Sequence, residues 1–323
     1  MKPFLLTLMS ILFLYSCTNK ETAHKSNVRF PAKKELKAVK HFTDEILYPE
    51  FMTITGNILS IGSSKSDSML FHYALPNMEL IENTGIKGNA ANEFSLFPMF
   101  CATPSDNELY VWGYKPNSIE KFVVTEQNRL KHAQSFILDY EQFNWMNVVR
   151  DSLFIYYDTE NLEIKKHNLH KNKPIDKVKL KKEDHRESFF FSNRGVIAAN
   201  DSFVVHVYQF KNRIDIYDVE SLELKTVIGN KNHQPNITVG DFDNLYYQYV
   251  NLIAGKKYFY AVYFGRKSKD TSKDKIEVYD YQGNPIIEYE FDIMPSLFVV
   301  DEKNQMMYGF NGEHQDYLLS YEM

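Results

Sequence analysis

Six short runs of strand-forming residues recur along this 323-residue chain, and their spacing limits the fold more than any single motif does. The runs are "ILSIGSS" from Ile58, "ELYVWG" from Glu108, "SLFIYYD" from Ser152, "SFVVHVY" from Ser202, "KYFYAVYF" from Lys257 and "QMMYGF" from Gln305. Successive starts lie 50, 44, 50, 55 and 48 residues apart. Most follow a turn-forming pair such as Gly56-Asn57, Asp106-Asn107 or Asn200-Asp201, which suits the left-handed backbone of tight hairpins. A second strand follows each run, as in "RIDIYDV" and "KIEVYDY", and after most comes a more polar one such as "LELKTVI". A further apolar run precedes most units, as in "WMNVVR" and "GVIAAN". Four strands in roughly fifty residues is the period of a propeller blade.

The two ends of the chain fit a closed ring. The sixth unit stops at Met323 after its third strand, and an unclaimed β-like run, "LKAVKHF", spans Leu36 to Phe42. Pairing that run into the last blade completes it. The expected fold is therefore all-β: one six-bladed β-propeller of four-stranded blades over residues 36–323, closed by an N-terminal strand. The 22 Tyr and 24 Phe suit pleated sheet, and with only 13 Gly they exclude collagen-like and low-complexity classes.

Residues 1–16 read as a signal segment: Lys2 supplies the positive start and Phe4 to Leu14 an apolar stretch too short to span a bilayer comfortably. Its end, "LYSC" (Leu14 to Cys17), resembles a bacterial lipobox, although Tyr15 is bulkier than the small residue usual there. The resemblance implies cleavage before Cys17 and lipid on its thiol; an ordinary cleaved signal with an incidental Cys17 is the other reading. Residues 17–35 then form a polar tether, with seven Lys/Arg against two Glu from Thr18 to Lys40. The implied address is the bacterial cell envelope, on the periplasmic side or the outer surface of the outer membrane, with the lipid as the only membrane contact. Cys101, in "FPMFCAT", reads as a buried thiol without a disulfide partner. A net charge of −5 leaves no positive excess to indicate nucleic acid.

The stretch "TGIKGNAANEFSLFP" (84–98) lacks both the closely spaced glycines that open a dinucleotide-binding helix and the Gly-Lys-Ser/Thr of a P-loop. It reads as a connection between blades. It resembles the inter-blade linker of NHL-type propellers through Gly85, Gly88, Glu93, Phe94 and Pro98. The following unit continues the likeness with Leu109, Tyr110, Val111, Asn117, Ile119 and Phe122, but lacks the family's Asp after the β-run. Together with the lipobox and the six degenerate units, this resembles the TolB-like six-bladed propeller lipoproteins common in Bacteroidetes. That resemblance implies architecture and address, and assigns no activity.

Candidate chemistry is sparse. His167 and His170, three apart in strand-like sequence, would face opposite ways, and "DFDN" (Asp241 to Asn244) and "NGEHQDY" (Asn311 to Tyr317) lack EF-hand spacing. All three read as turns. Lys177, Lys179 and Lys181 alternate with Val178 and Leu180, as in an outer strand whose lysines discourage edge pairing. Aromatic and polar clusters at blade starts could instead gather round one mouth of the channel: Trp145, Asn147, Asn193, Arg194, Tyr246 and Tyr247. The leading expectation is a non-catalytic scaffold without a cofactor, binding a protein or an envelope or glycan ligand. The alternative is a hydrolase or lactonase with a divalent cation in the channel. Glu93 and Asp241, with Asn147 and Asn193, would be its metal-side residues. No Ser-His-Asp arrangement can be placed.

Overall fold

A computed structural model describes residues 22–26, 28–46, 48–88, 93–113, 117–138, 143–180, 192–231, 235, 237, 240–271 and 273–323, leaving the side chain of residue 242 aside. Cys17, the signal segment and Lys181 lie outside the described residues. The first strands are β1 (Ala23–Lys25), β2 (Lys33–Leu36) and β3 (Val39–Phe42). Blade I comprises β4 (Pro49–Thr55), β5 (Ile58–Ser63), β6 (Ser68–Ala74) and β7 (Glu79–Ile86), and blade II comprises β8 (Met99–Cys101), β9 (Glu108–Trp112), β10 (Ser118–Val124) and β11 (Leu130–Ile137). Blade III is β12 (Asn144–Val149), β13 (Leu153–Asp158), β14 (Glu163–Asn168) and β15 (Lys173–Lys179). Blade IV is β16 (Gly195–Ala199), β17 (Phe203–Tyr208), β18 (Arg213–Asp218) and β19 (Leu224–Gly229). Blade V is β20 (Tyr246–Ala254), β21 (Tyr258–Lys267), β22 (Lys275–Asp280) and β23 (Pro285–Phe291). Blade VI takes β24 (Leu297–Asp301), β25 (Met306–Phe310) and β26 (Tyr317–Glu322) from the C-terminus and β3 from the N-terminus.

The core is six apolar seams, one between each pair of neighbouring blades. Successive residues of a strand point to opposite faces, so both faces of a blade are buried and its strands read as continuous apolar runs. In β17, Val204 enters the III–IV seam beside Ile155 and Ile164, while Val205 and Val207 enter the IV–V seam beside Phe259 and Ala261. The VI–I seam joins Tyr308 and Leu318 to Leu59 and Phe71, so the two ends of the chain share one core. Cys101 is fully buried in the II–III seam, and burial pushes its thiol pKa far up.

β3 pairs antiparallel with β26, Phe42 opposite Tyr317 and Val39 opposite Ser320, which closes the ring as the sequence led us to expect. The run from Leu36 to Phe42 is nevertheless not one strand. Leu36 ends β2 on blade V, and the chain then steps across to blade VI, with the Ala38 N–H donating to Asp292 Oδ1 at 3.0 Å.

The expected tether also needs correction, because from Ala23 onward it is built into the disc. β1 lies parallel on β19, and β2 lies parallel on β23. An outer strand presents unpaired backbone N–H and C=O groups, and these short strands satisfy them on blades IV and V. We call residues 22–26 and 28–36 the strap. Lys33 adds an ion pair to Glu288 at 2.5 Å, and Leu36 is buried in the V–VI seam. The outer strand of blade III is covered instead by charge, with Lys177 and Lys179 both on Glu163. The stretch 84–98 is a connection: Lys87 bridges to Phe94, Phe94 is buried, and β8 follows. Gly85, at φ 78°, leaves room there for the Phe94 ring, which a Cβ would approach to 3.1 Å.

Because every blade begins with its inner strand, all six inner strands run the same way along the axis and start on one face. That face also carries the turns between second and third strands.

Urea unfolding should show Leu36→Ala costing about 2–5 kcal/mol, because a seam contact is lost. Val39→Ala, on an outer strand and 58% exposed, should change stability by less than about 0.5 kcal/mol.

Candidate recognition face

Three large aromatic side chains stand in solvent where inner strands begin on that face. Tyr48 precedes β4 and is 57% exposed, Trp145 lies in β12 and is 43% exposed, and Tyr246 opens β20 and is 47% exposed. They belong to blades I, III and V. Tyr48 and Trp145 hold left-handed backbone, at φ 65° and 52°. Bulky residues rarely adopt that conformation. Tyr48 escaped the sequence reading; the only signal was an aromatic directly ahead of Pro49.

At Trp145 the backbone geometry has an identifiable support. The pairing of β12 with β13 slips between Asn144 and Asn147, so Trp145 sits in a bulge. The buried Asn147 side chain donates to the Trp145 carbonyl at 2.7 Å and accepts from the Ala199 N–H of blade IV at 2.9 Å. Asn147, expected to touch a ligand, instead joins two inner strands and holds the bulge that presents Trp145.

Blades IV and V form a continuous patch on the same face. The Gln209 N–H donates to the Arg194 carbonyl, and the Gln248 N–H to the Gln209 carbonyl, both at 2.8 Å. The half-buried Tyr247 ring packs on Phe210 with centroids 5.1 Å apart, and the Tyr246 hydroxyl donates to the Gly265 carbonyl. The Arg266 guanidinium lies 3.5 Å from the Phe264 ring centre and pairs with Asp274 at 3.0 Å. The Arg194 side chain is exposed, whereas Asn193 is buried, accepting from Lys211 Nζ at 2.7 Å and from the Tyr157 hydroxyl at 3.1 Å. Of the six residues singled out, the structure thus leaves Trp145, Arg194 and Tyr246 in solvent and uses Asn147, Asn193 and most of Tyr247 to support them.

Beneath the patch each of two seams contains a buried carboxylate. Arg213-Ile-Asp215-Ile-Tyr217-Asp218 and Lys275-Ile-Glu277-Val-Tyr279-Asp280 are the same pattern in blades IV and V. Alternation sends Ile214 and Ile216 to the IV–V seam and Asp215 with Tyr217 to the III–IV seam, while the final Asp caps the hairpin turn. Asp215 is held by Arg213 through two bonds, at 2.7 and 2.8 Å, and by the Tyr208 and Tyr217 hydroxyls at 2.8 and 3.3 Å. Glu277 accepts from the Tyr279 and Tyr249 hydroxyls at 2.7 and 3.2 Å and pairs with Lys275 at 3.3 Å. Burial raises its pKa despite those donors.

His206 stands beside Asp215, fully buried between the Tyr157 and Tyr208 rings. Neither ring nitrogen has a hydrogen-bond partner among the described residues. Burial first, and then the Arg213 and Lys211 charges, lower its pKa from 6.5 to about 3, so it is neutral at ordinary pH.

The proposed metal-side residues each have local partners of their own. Glu93 lies against Gly88 at the start of blade II, and Asp241 is exposed and accepts from the Asn244 side chain at 2.8 Å ahead of blade V. Asn147 and Asn193 are committed to the contacts above. Among the described residues no three His, Cys, Asp or Glu side chains form a group that could hold a metal ion, and no helix is long and apolar enough to cross a membrane.

Comparison with known proteins adds the family and the fold. The family described as TolB-like 6-blade propeller-like matches residues 26–303. No curated protein matches the sequence. A Bacteroides fragilis NCTC 9343 protein described as exported superposes with a TM-score of 0.58 at 11% identity, over 93% of this chain and 98% of that one. The β-propeller domain of Myceliophteria thermophila Cps50 (Swd1) gives 0.50 at 8% identity, over 88% and 100%. At such identities the likeness is one of fold.

The His206 environment sets an acid limit to stability. An unfolded histidine takes a proton near pH 6.5, while the folded one resists until about 3. Folding stability should therefore be full above pH 6.5 and fall by a few kcal/mol as the pH drops from 6.5 towards 3. Urea unfolding at pH 7 and pH 4 should show His206→Phe losing distinctly less than the parent protein between the two.

Proposed function

We propose that this chain, which belongs to the TolB-like six-bladed propeller family, is a non-catalytic binding module whose inner-strand face recognises a protein or an envelope ligand. The observation that carries the reading is the set Tyr48, Trp145 and Tyr246, with exposed rings on alternate blades. Left-handed backbone at a bulky residue costs on the order of 1–3 kcal/mol and persists only where the surroundings enforce it. Rings that stand in solvent return nothing to the seams for that cost. Aromatic anchors on a face that also carries the exposed Arg194 suit a partner with apolar pockets and an acidic rim.

The family match and the exported neighbour support an address outside the cytoplasm. The finer part of the proposal is that Cys17 carries lipid and holds the disc at the envelope, on the periplasmic side or the outer surface, with no part for nucleic acid. Replacing Cys17 with Ala should then move the protein from the membrane fraction to the aqueous one. The channel-metal hydrolase needs carboxylates and amides meeting at one point. Among the described residues no three His, Cys, Asp or Glu side chains form such a group, so that reading has no support from geometry.

Crosslinking capture from envelope extract, read by mass spectrometry, tests the face. Replacing Tyr48, Trp145 and Tyr246 together with Ala should lower recovery of the partner by at least about tenfold, as expected for hot-spot aromatics. Urea stability should stay within about 1 kcal/mol, because the three rings are about half exposed and belong to none of the six seams. Undiminished recovery with the triple variant would remove this face as the binding surface.

A further inference from the structure

A cleft of about 700 Å³ opens at the seam between blades IV and V, away from Tyr48 and Trp145. Its floor is the Tyr249, Tyr263 and Tyr279 rings with Lys275, Glu277 and Glu288. The strap forms its other wall and is fixed on both sides. His24 Nε2 lies 2.9 Å from the Gly229 carbonyl on blade IV, and Lys33 pairs with Glu288 on blade V. Between those points Phe30 packs edge-on against Tyr279 with centroids 5.1 Å apart, and the exposed Arg29 reaches the rim.

We infer that this cleft binds a sugar ring, neutral or carrying a single carboxylate. Its size lies within the range of small-molecule sites. Its charges nearly cancel: Arg29, Lys33 and Lys275 stand against Glu277 and Glu288, a net of +1, which gives no strong field for a polyanion or a cation. What the cleft offers instead is acceptors and donors side by side, since Lys275 sits between Glu277 and Glu288. Burial opposes ionisation of Glu288, but the Lys275 and Lys33 ammoniums outweigh it and hold its carboxyl below the usual range. A hydroxyl can donate to a carboxylate and accept from a neighbouring ammonium, so adjacent hydroxyls on a ring can join this array, whose members already pair with one another.

The aromatic residues supply the other half of the recognition. Tyr249 and Tyr279 are buried, so the half-buried Tyr263 ring is the one that gives flat, weakly polar surface for the C–H face of a sugar. Tyr263 also has a spare polar group: among the described residues its hydroxyl makes no hydrogen bond, and burial raises its pKa to about 12, so it keeps its proton. Gly265, at φ 57°, clears space for that ring, since a Cβ there would come within 2.2 Å of it.

A glycan array of neutral, N-acetylated and uronic-acid oligosaccharides, probed with the full chain, is the test. At least one class should bind. Tyr263→Phe, which keeps the ring and removes an unpartnered hydroxyl, should weaken that binding by about three- to tenfold. Tyr263→Ala should abolish it, and Trp145→Ala should leave it unchanged. Failure of every class to bind would overturn the inference. So would binding that survives Tyr263→Ala. Binding lost with Trp145→Ala and kept with Tyr263→Ala would assign the sugar to the aromatic face, so this inference would fail while the proposed function stood.

Discussion

Burial of both faces of every blade is the constraint on which this fold depends. Val204 and Val205 are neighbours in sequence yet belong to different seams, and the same holds for Tyr260 and Ala261. A blade taken alone would expose two apolar faces, so no blade is a stable unit and the row of six must return on itself. The last seam is made by residues almost 260 positions apart, Leu59 against Leu318. Closure from both termini follows from that need.

Polar groups enter this apolar system under tight terms. Asp215 is fully buried and has four donors, while Lys166, also buried, donates to the Val219 and Glu220 carbonyls across the III–IV seam. A buried charge without such partners would cost several kcal/mol. The matching carboxylate of blade V has donors of the same kind, two tyrosine hydroxyls and a cation, but in a different setting. Its seam stays partly open, and the strap, which itself brings Lys33, Arg29 and Phe30, covers the opening. The two blades share a sequence pattern and differ in what lies over it.

The sequence made the repeat, the turns and the closing strand legible because each rests on a local rule: period two, turn chemistry and a missing fourth strand. Lysines on β15 were legible for the same reason. The strap was not. β1 and β2 are three and four residues long and pair in parallel with strands about 200 and 255 positions away, which leaves no periodicity to read. Its basic composition suggested a free tether, whereas Lys33 has a carboxylate waiting on blade V. Asn147 was misread because an amide at a blade start looks the same whether it faces a ligand or joins two strands. "RIDIYDV" and "KIEVYDY" were recognised as strands, but that their acids face a buried seam depends on the neighbouring blade.

The strap also fixes how the disc bears load. A pull on the chain ahead of Thr22 acts on three attachments in series: β1 on blade IV, β2 on blade V and only then β3, which closes blade VI. The first two can peel away without opening the ring. The residues from Thr22 to Ala38 have an extended contour of about 55 Å at roughly 3.3 Å per residue, and releasing them yields the part of it that their bound path does not already span. The segment therefore works as a mechanical fuse, yielding length before the closure of the propeller is strained.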